Sequence, residues 1–173
     1  MKTIKVHDDC KLKTSKLFAK VKEKYGKGYC YLSNEELDKQ FPIPQEAITR
    51  YFLDEVEPDK ETLGMSCNQA DPDMQGITLR ERLILDLSTE KKLDVVGLTI
   101  CSGSRYAGGH VPSVSLDSDG DVCVDWFSAG SCDDADGVRR EVSITTLPSN
   151  PDEELQQAID KVKQAGYKVV KEI

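Results

Sequence analysis

The chain contains no run approaching the roughly 18–20 consecutive apolar residues of a bilayer-spanning helix. Its opening, Met1 to Lys13, is polar where a secretory signal would be greasy. These absences point to a cytoplasmic protein with no membrane partner. There is no CxxC pair, GxSxG elbow, P-loop or GxGxxG turn, so the common fingerprints of thiol redox, acyl transfer and nucleotide binding are missing. Six cysteines are present, scattered along the chain, and a reducing cytosol keeps such thiols free. With 38% apolar and 31% charged residues, the composition excludes both a membrane protein and a disordered chain. A length of 173 residues lets one domain, with or without a small appendage, bury a core unaided by disulfide or metal.

What the sequence does have is acid. Asp and Glu number 31 against 23 Lys and Arg, for a formal charge of −8. The imbalance is uneven: residues 1–29 hold nine Lys and three acids, whereas Asp117 to Asp136 holds seven acids and no Lys or Arg. A basic opening on an acidic body suits internal attraction or a polyanionic partner, and the acidic stretch suits a protein with a basic surface.

The apolar spacing predicts an α+β fold with a mainly antiparallel sheet. Strands are expected at about residues 95–101, 111–117, 121–127, 140–146 and 167–171, packed by helices at about 78–91 and 151–165. A mostly helical part precedes them. It starts with a short strand, Thr3 to Val6, and a helix capped by Thr14 or Ser15 that turns Leu17, Phe18, Val21 and Tyr25 inward. A second short strand is expected from Tyr29 to Leu32. Ser33 with Glu36, and Thr78 with Glu81, are capping boxes that mark helix starts. Pro44 is placed to open a further helix carrying Ala47, Ile48, Tyr51 and Phe52. Residues 1–57 and 77–173 then form two parts joined by an irregular connection at 58–76, where Pro, Gly and acids interrupt any periodicity.

Strand alternation predicts an apolar face of Leu98, Ile100, Val114, Leu116, Val122, Val124, Trp126, Val142 and Ile144. The opposite face collects Thr99, Cys101, Ser113, Ser115, Cys123, Asp125, Glu141, Ser143 and Thr145. That small, polar, thiol-bearing face is a candidate binding surface, with Cys101, Arg105, His110, Cys123 and Asp125 as its residues; the wet side of an ordinary antiparallel sheet has the same pattern.

Cys101, His110, Cys123 and Cys132 read Cys-x8-His-x12-Cys-x8-Cys, and three thiolates with an imidazole suit zinc, although each comes from a separate element rather than from close pairs. Without metal, Cys101 with His110, or Cys10 with His7, is the thiol and base that covalent catalysis requires. Cys101-Ser-Gly-Ser-Arg105 is similar to a phosphatase loop, yet too short between Cys and Arg for backbone amides to encircle a phosphate. Asp117, Asp119, Asp121 and Asp125, written DSDGDVCVD, resemble the calcium loops of integrin-type propeller repeats, which implies carboxylates converging on a hard cation. The same residues suit a hairpin turn with Gly120 at positive φ. Finally, residues 32–52, with Leu37, Phe41, Ile43 and Ile48 at the apolar positions, look like a helix-turn-helix, which implies Gln45, Thr49 and Arg50 against base edges. Asp38 and Pro42 depart from that pattern, and Asp54, Glu55 and Glu57 would repel phosphates.

The leading expectation is a non-enzymatic acidic protein that binds another macromolecule, as an interaction or inhibitor-like protein does. Two alternatives stand beside it: a DNA-binding regulator using residues 33–55, and a thiol or zinc-dependent enzyme centred on Cys101, His110 and Cys123.

Overall fold

In chain order the elements are β1 (Thr3–Asp8), α1 (Thr14–Tyr25), β2 (Gly28–Cys30), α2 (Asn34–Gln40), β3 (Ile48–Leu53), α3 (Cys67–Ala70), α4 (Leu79–Ser88), β4 (Leu98–Ile100), β5 (His110–Leu116), β6 (Val122–Ser128) and β7 (Asp136–Val138). They come from a computed structural model that describes residues 2–131 and 133–142. The helix expected at 151–165, the strand expected at 167–171 and Cys132 lie outside the described residues. Those that are described belong to one compact unit, and none of their helices is long and apolar enough to cross a membrane.

β1 and β3 form an antiparallel pair, and the other strands form a five-stranded sheet in the order β2-β6-β5-β4-β7. The fold is α+β, with two corrections. The larger sheet is mixed rather than mainly antiparallel, because β2 runs parallel to β6 and β7 parallel to β4. Hairpins force only sequence neighbours such as β5 and β6 to be antiparallel; β2 and β7 join the edges from distant positions and are free of that constraint. Nor is the first part mostly helical, since β1, β2 and β3 alternate there with α1 and α2.

The helix expected after Pro44 is the strand β3. Its Ile, Thr, Tyr and Phe residues fit a pleated surface, and Phe52 is fully buried opposite Ile4 of β1, so a distant partner sets the conformation. The helical hairpin of the helix-turn-helix reading is therefore absent. Of the strand expected at 140–146, Arg140 forms an isolated bridge to Gly76, Val142 donates its N–H to the Tyr51 carbonyl, and residues 143–146 lie outside the described residues. The 58–76 connection is packed: a 3₁₀ turn at Lys60–Thr62 places the Thr62 hydroxyl where it accepts the Val138 N–H at 3.0 Å.

Both capping boxes form, and that of Thr78 starts α4, with Thr78 Oγ1 accepting the Glu81 N–H at 3.2 Å and Glu81 Oε2 accepting the Thr78 N–H at 2.8 Å. α1 begins without a side-chain cap, because Thr14 and Ser15 sit inside it and Ser15 donates instead to the Asp38 carboxylate. Gly26, at φ 94°, ends that helix. Leu17, Phe18 and Val21 of α1, Leu37 of α2 and Leu79, Leu83 and Leu85 of α4 form the main core with Val114, Val122 and Val124 of the sheet. A second cluster joins Cys67 of α3 to Ile100, Val111 and Val138.

Candidate functional site

Across the β5–β6 pair Val114 opposes Val124 and Leu116 opposes Val122, as alternation predicts, and this side meets the main core. Ser113, Ser115, Cys123 and Asp125 take the other side. β4 has the opposite phase to the one expected. Thr99 lies opposite Val114, while Leu98 and Ile100 oppose Ser115 and Ser113. Cys101 thus falls on the core side with Val114, fully buried, and Cys123 on the other; the sheet separates two residues expected on one face. The cause is that β4 is covered on both faces, by the main core and by the α3 cluster, so its alternation of polarity carries no direction. Thr99 tolerates burial because its hydroxyl accepts from Arg139 Nε at 3.0 Å.

That separation breaks up the sulfur and imidazole set. His110 opens β5, exposed and opposite Ser128, and among the described residues no three His, Cys, Asp or Glu side chains come together as a metal site. Burial pushes the Cys101 thiol well above its ordinary range and is also the largest cause of the upward shifts at Cys10, Cys30, Cys67 and Cys123. A nucleophilic cysteine needs the reverse shift. Cys10 donates to the Glu46 carbonyl at 3.1 Å, while His7 pairs through Nδ1 with Thr49 Oγ1 at 2.7 Å, so these two do not meet as thiol and base. Arg105 folds its guanidinium back onto the carbonyls of Ser102 and Ser104, at 2.5 and 2.9 Å.

The aspartate-rich stretch is a hairpin turn between β5 and β6. Asp117 Oδ1 accepts the N–H groups of Asp119 and Asp121, both at 2.9 Å, and Gly120 stands at φ 81°. Of the residues expected at base edges, Gln45 is exposed ahead of β3 and Thr49 is held by His7. Arg50 is mostly buried in ion pairs with Glu81 and Glu141, each at 3.0 Å, so its charge is already claimed.

The side of the sheet bearing Cys123 and Asp125 gains two residues that sequence reasoning missed. Tyr29 of β2 lies opposite Cys123, and Tyr31 follows with its N–H donated to the Val124 carbonyl, so both rings rise on the Asp125 side. The rings meet edge-on, centroids 5.5 Å apart at 65°, and the residues are 48% and 63% exposed. The Tyr29 hydroxyl is held above its usual pKa, first by desolvation and then by Cys123, Tyr31 and Asp125. Asp117 and Asp119 are exposed and Asp121 partly so, at the turn that leads into β6. The available signal was two tyrosines flanking Cys30, placed on one face if that segment is a strand.

No protein family matches the chain, and no curated protein or solved structure matches it.

Proposed function

We propose that the protein is a non-enzymatic binding protein that docks a basic protein partner on the face carrying Tyr29, Tyr31 and Asp125, with Asp117, Asp119 and Asp121 beside it. The observation that carries this reading is the pair of exposed tyrosines in edge contact on the same side of the sheet as Asp125. Tyrosine offers a large, rigid contact area at small entropic cost and is enriched at interface hot spots. Its ring face attracts Lys and Arg, and the neighbouring carboxylates steer a cationic partner into place. The protonated, mostly buried thiols support binding rather than covalent chemistry.

The test is titration with a Lys/Arg-rich peptide and, as control, an acidic peptide of equal length, at low and at physiological salt. Only the basic peptide is expected to bind, and more weakly as salt rises. The double variant Tyr29→Ser/Tyr31→Ser is expected to lose about tenfold in affinity, or about 1.4 kcal/mol. Failure of the basic peptide to bind at low salt, or binding by both the double variant and Asp119→Asn/Asp121→Asn as tight as that of the unaltered protein, sinks the proposal.

A further inference from the structure

A separate pocket of about 230 Å³ lies among β1, the start of α4, the segment after α2 and the loop after β4. Its lining combines apolar Phe41, Pro44 and Ile48 with polar Arg80, Ser104 and Arg105, the mixture typical of small-molecule sites. Two carboxylates also border it, and both are already claimed. Asp8 holds Arg80 through two bonds, at 2.7 and 2.9 Å, while Glu81 accepts from Arg50 at 3.0 Å and from the Thr78 amide at 2.8 Å.

Hydrogen-bond donors are what remain. Among the described residues Arg105 bonds to the Ser102 and Ser104 carbonyls and the Cys67 thiol and has no carboxylate partner. Arg80 Nη1 spends one hydrogen on Thr14 Oγ1 at 2.9 Å; among the described residues its second has no acceptor. Ser104 Oγ accepts the Leu79 N–H at 3.0 Å, which leaves its own hydrogen to donate.

We infer that this pocket binds a small organic monocarboxylate with a flat apolar body. The carboxylate pairs with Arg105 and takes hydrogen bonds from Ser104 and the remaining Arg80 N–H, while the body packs on Phe41, Pro44 and Ile48. Donors on cationic guanidinium groups favour an anionic carboxylate over a neutral amide. The volume, below the roughly 300–1,000 Å³ of sites for drug-sized ligands, limits the occupant to about one ring.

The sole tryptophan provides a built-in reporter: Trp126 stacks on Phe41 at 6.1 Å and on Tyr106, the neighbour of Arg105, at 4.5 Å. The experiment titrates the full chain with benzoate, benzamide and sulfate, following Trp126 emission and the NMR signals of the Ile48 methyl groups. Benzoate is expected to saturate at one site and to bind about tenfold more tightly than benzamide or sulfate. Arg105→Gln is expected to weaken benzoate about tenfold, and Ile48→Ser, at a surface position, gives an independent loss. No saturable response to benzoate, equal affinity for sulfate, or unchanged binding by both variants overturns the inference. Tyr29→Ser/Tyr31→Ser should bind benzoate normally, so this site and the tyrosine face succeed or fail separately.

Discussion

Asp94 is fully buried between two arginines, its Oδ1 2.8 Å from Arg139 Nη2 and its Oδ2 2.6 Å from Arg82 Nη2. Arg82 also holds Asp86, and Tyr25 donates its hydroxyl to Asp86 Oδ1 at 2.7 Å. The chain Asp86–Arg82–Asp94–Arg139 is neutral as a whole, and the guanidinium of Arg139 spends three further donors on Thr99 and on the Glu55 and Val56 carbonyls. Such a network costs little while complete and much when one member is lost, because a buried charge is then left uncompensated. Asp94→Asn keeps the side-chain shape and a residue that tolerates φ 55°, and removes only the charge. It is expected to destabilise the protein by about 3–5 kcal/mol in urea denaturation. Lys2→Ala, which removes an exposed cation and leaves the largely buried Asp54 carboxylate paired with Lys91, should cost no more than about 1 kcal/mol. Similar midpoints for the two variants would show that the buried chain has no special role.

α4 and the β5–β6 hairpin are legible in the sequence because what defines them is local. A capping box spans four residues, and alternation through Val122, Val124 and Trp126 needs no knowledge of a partner. Thr78→Ala tests that locality: losing the cap is expected to cost about 1 kcal/mol in urea denaturation. No measurable loss would mean that burial of the surrounding leucines holds the helix start by itself. β3 is illegible for the converse reason. Its Ile48, Tyr51 and Phe52 also fit a helical face, and only pairing with β1 decides between the two. In the candidate site, Cys123 and Asp125 follow from the period of β6, whereas a three-residue β2 is too short to display one, and only its pairing with β6 puts Tyr29 and Tyr31 on that face. The alternation of β4 gives Cys101 no direction because that strand is covered on both faces, and the Arg105 pocket draws on four segments that no spacing connects.

Across the molecule the charge is sorted rather than spread. Part of the basic excess at the start is used internally, with Lys2 on Asp54, Lys11 on Asp9 and Lys24 on the carbonyls at the end of α4, while exposed acids gather at the β5–β6 turn. The response to pH follows from burial instead. On the acid side two effects oppose each other. Burial raises Asp59, whose stabilisation is present below 3.8 and lost as pH rises through its folded value; Lys2 and Lys91 lower Asp54, whose stabilisation is present above 3.8 and lost as pH falls through its folded value. On the alkaline side the thiols and Tyr25 act together, while Lys24, lowered by desolvation, opposes them. The five described thiols and the Tyr25 hydroxyl are all raised, burial being the largest cause in each. Below the ordinary thiol value of 9.0 the folded and unfolded chains hold these protons alike. Above it the unfolded chain releases them and the native chain does not, so stability falls as pH rises, by about 1.4 kcal/mol per pH unit for a thiol as buried as Cys101. Urea midpoints measured from about pH 8 to about pH 10.5 should therefore hold level and then drop, with a shallower drop in Cys101→Ala. A midpoint that stays level or rises past pH 9, or a slope that Cys101→Ala leaves unchanged, would contradict burial of protonated thiols as the cause.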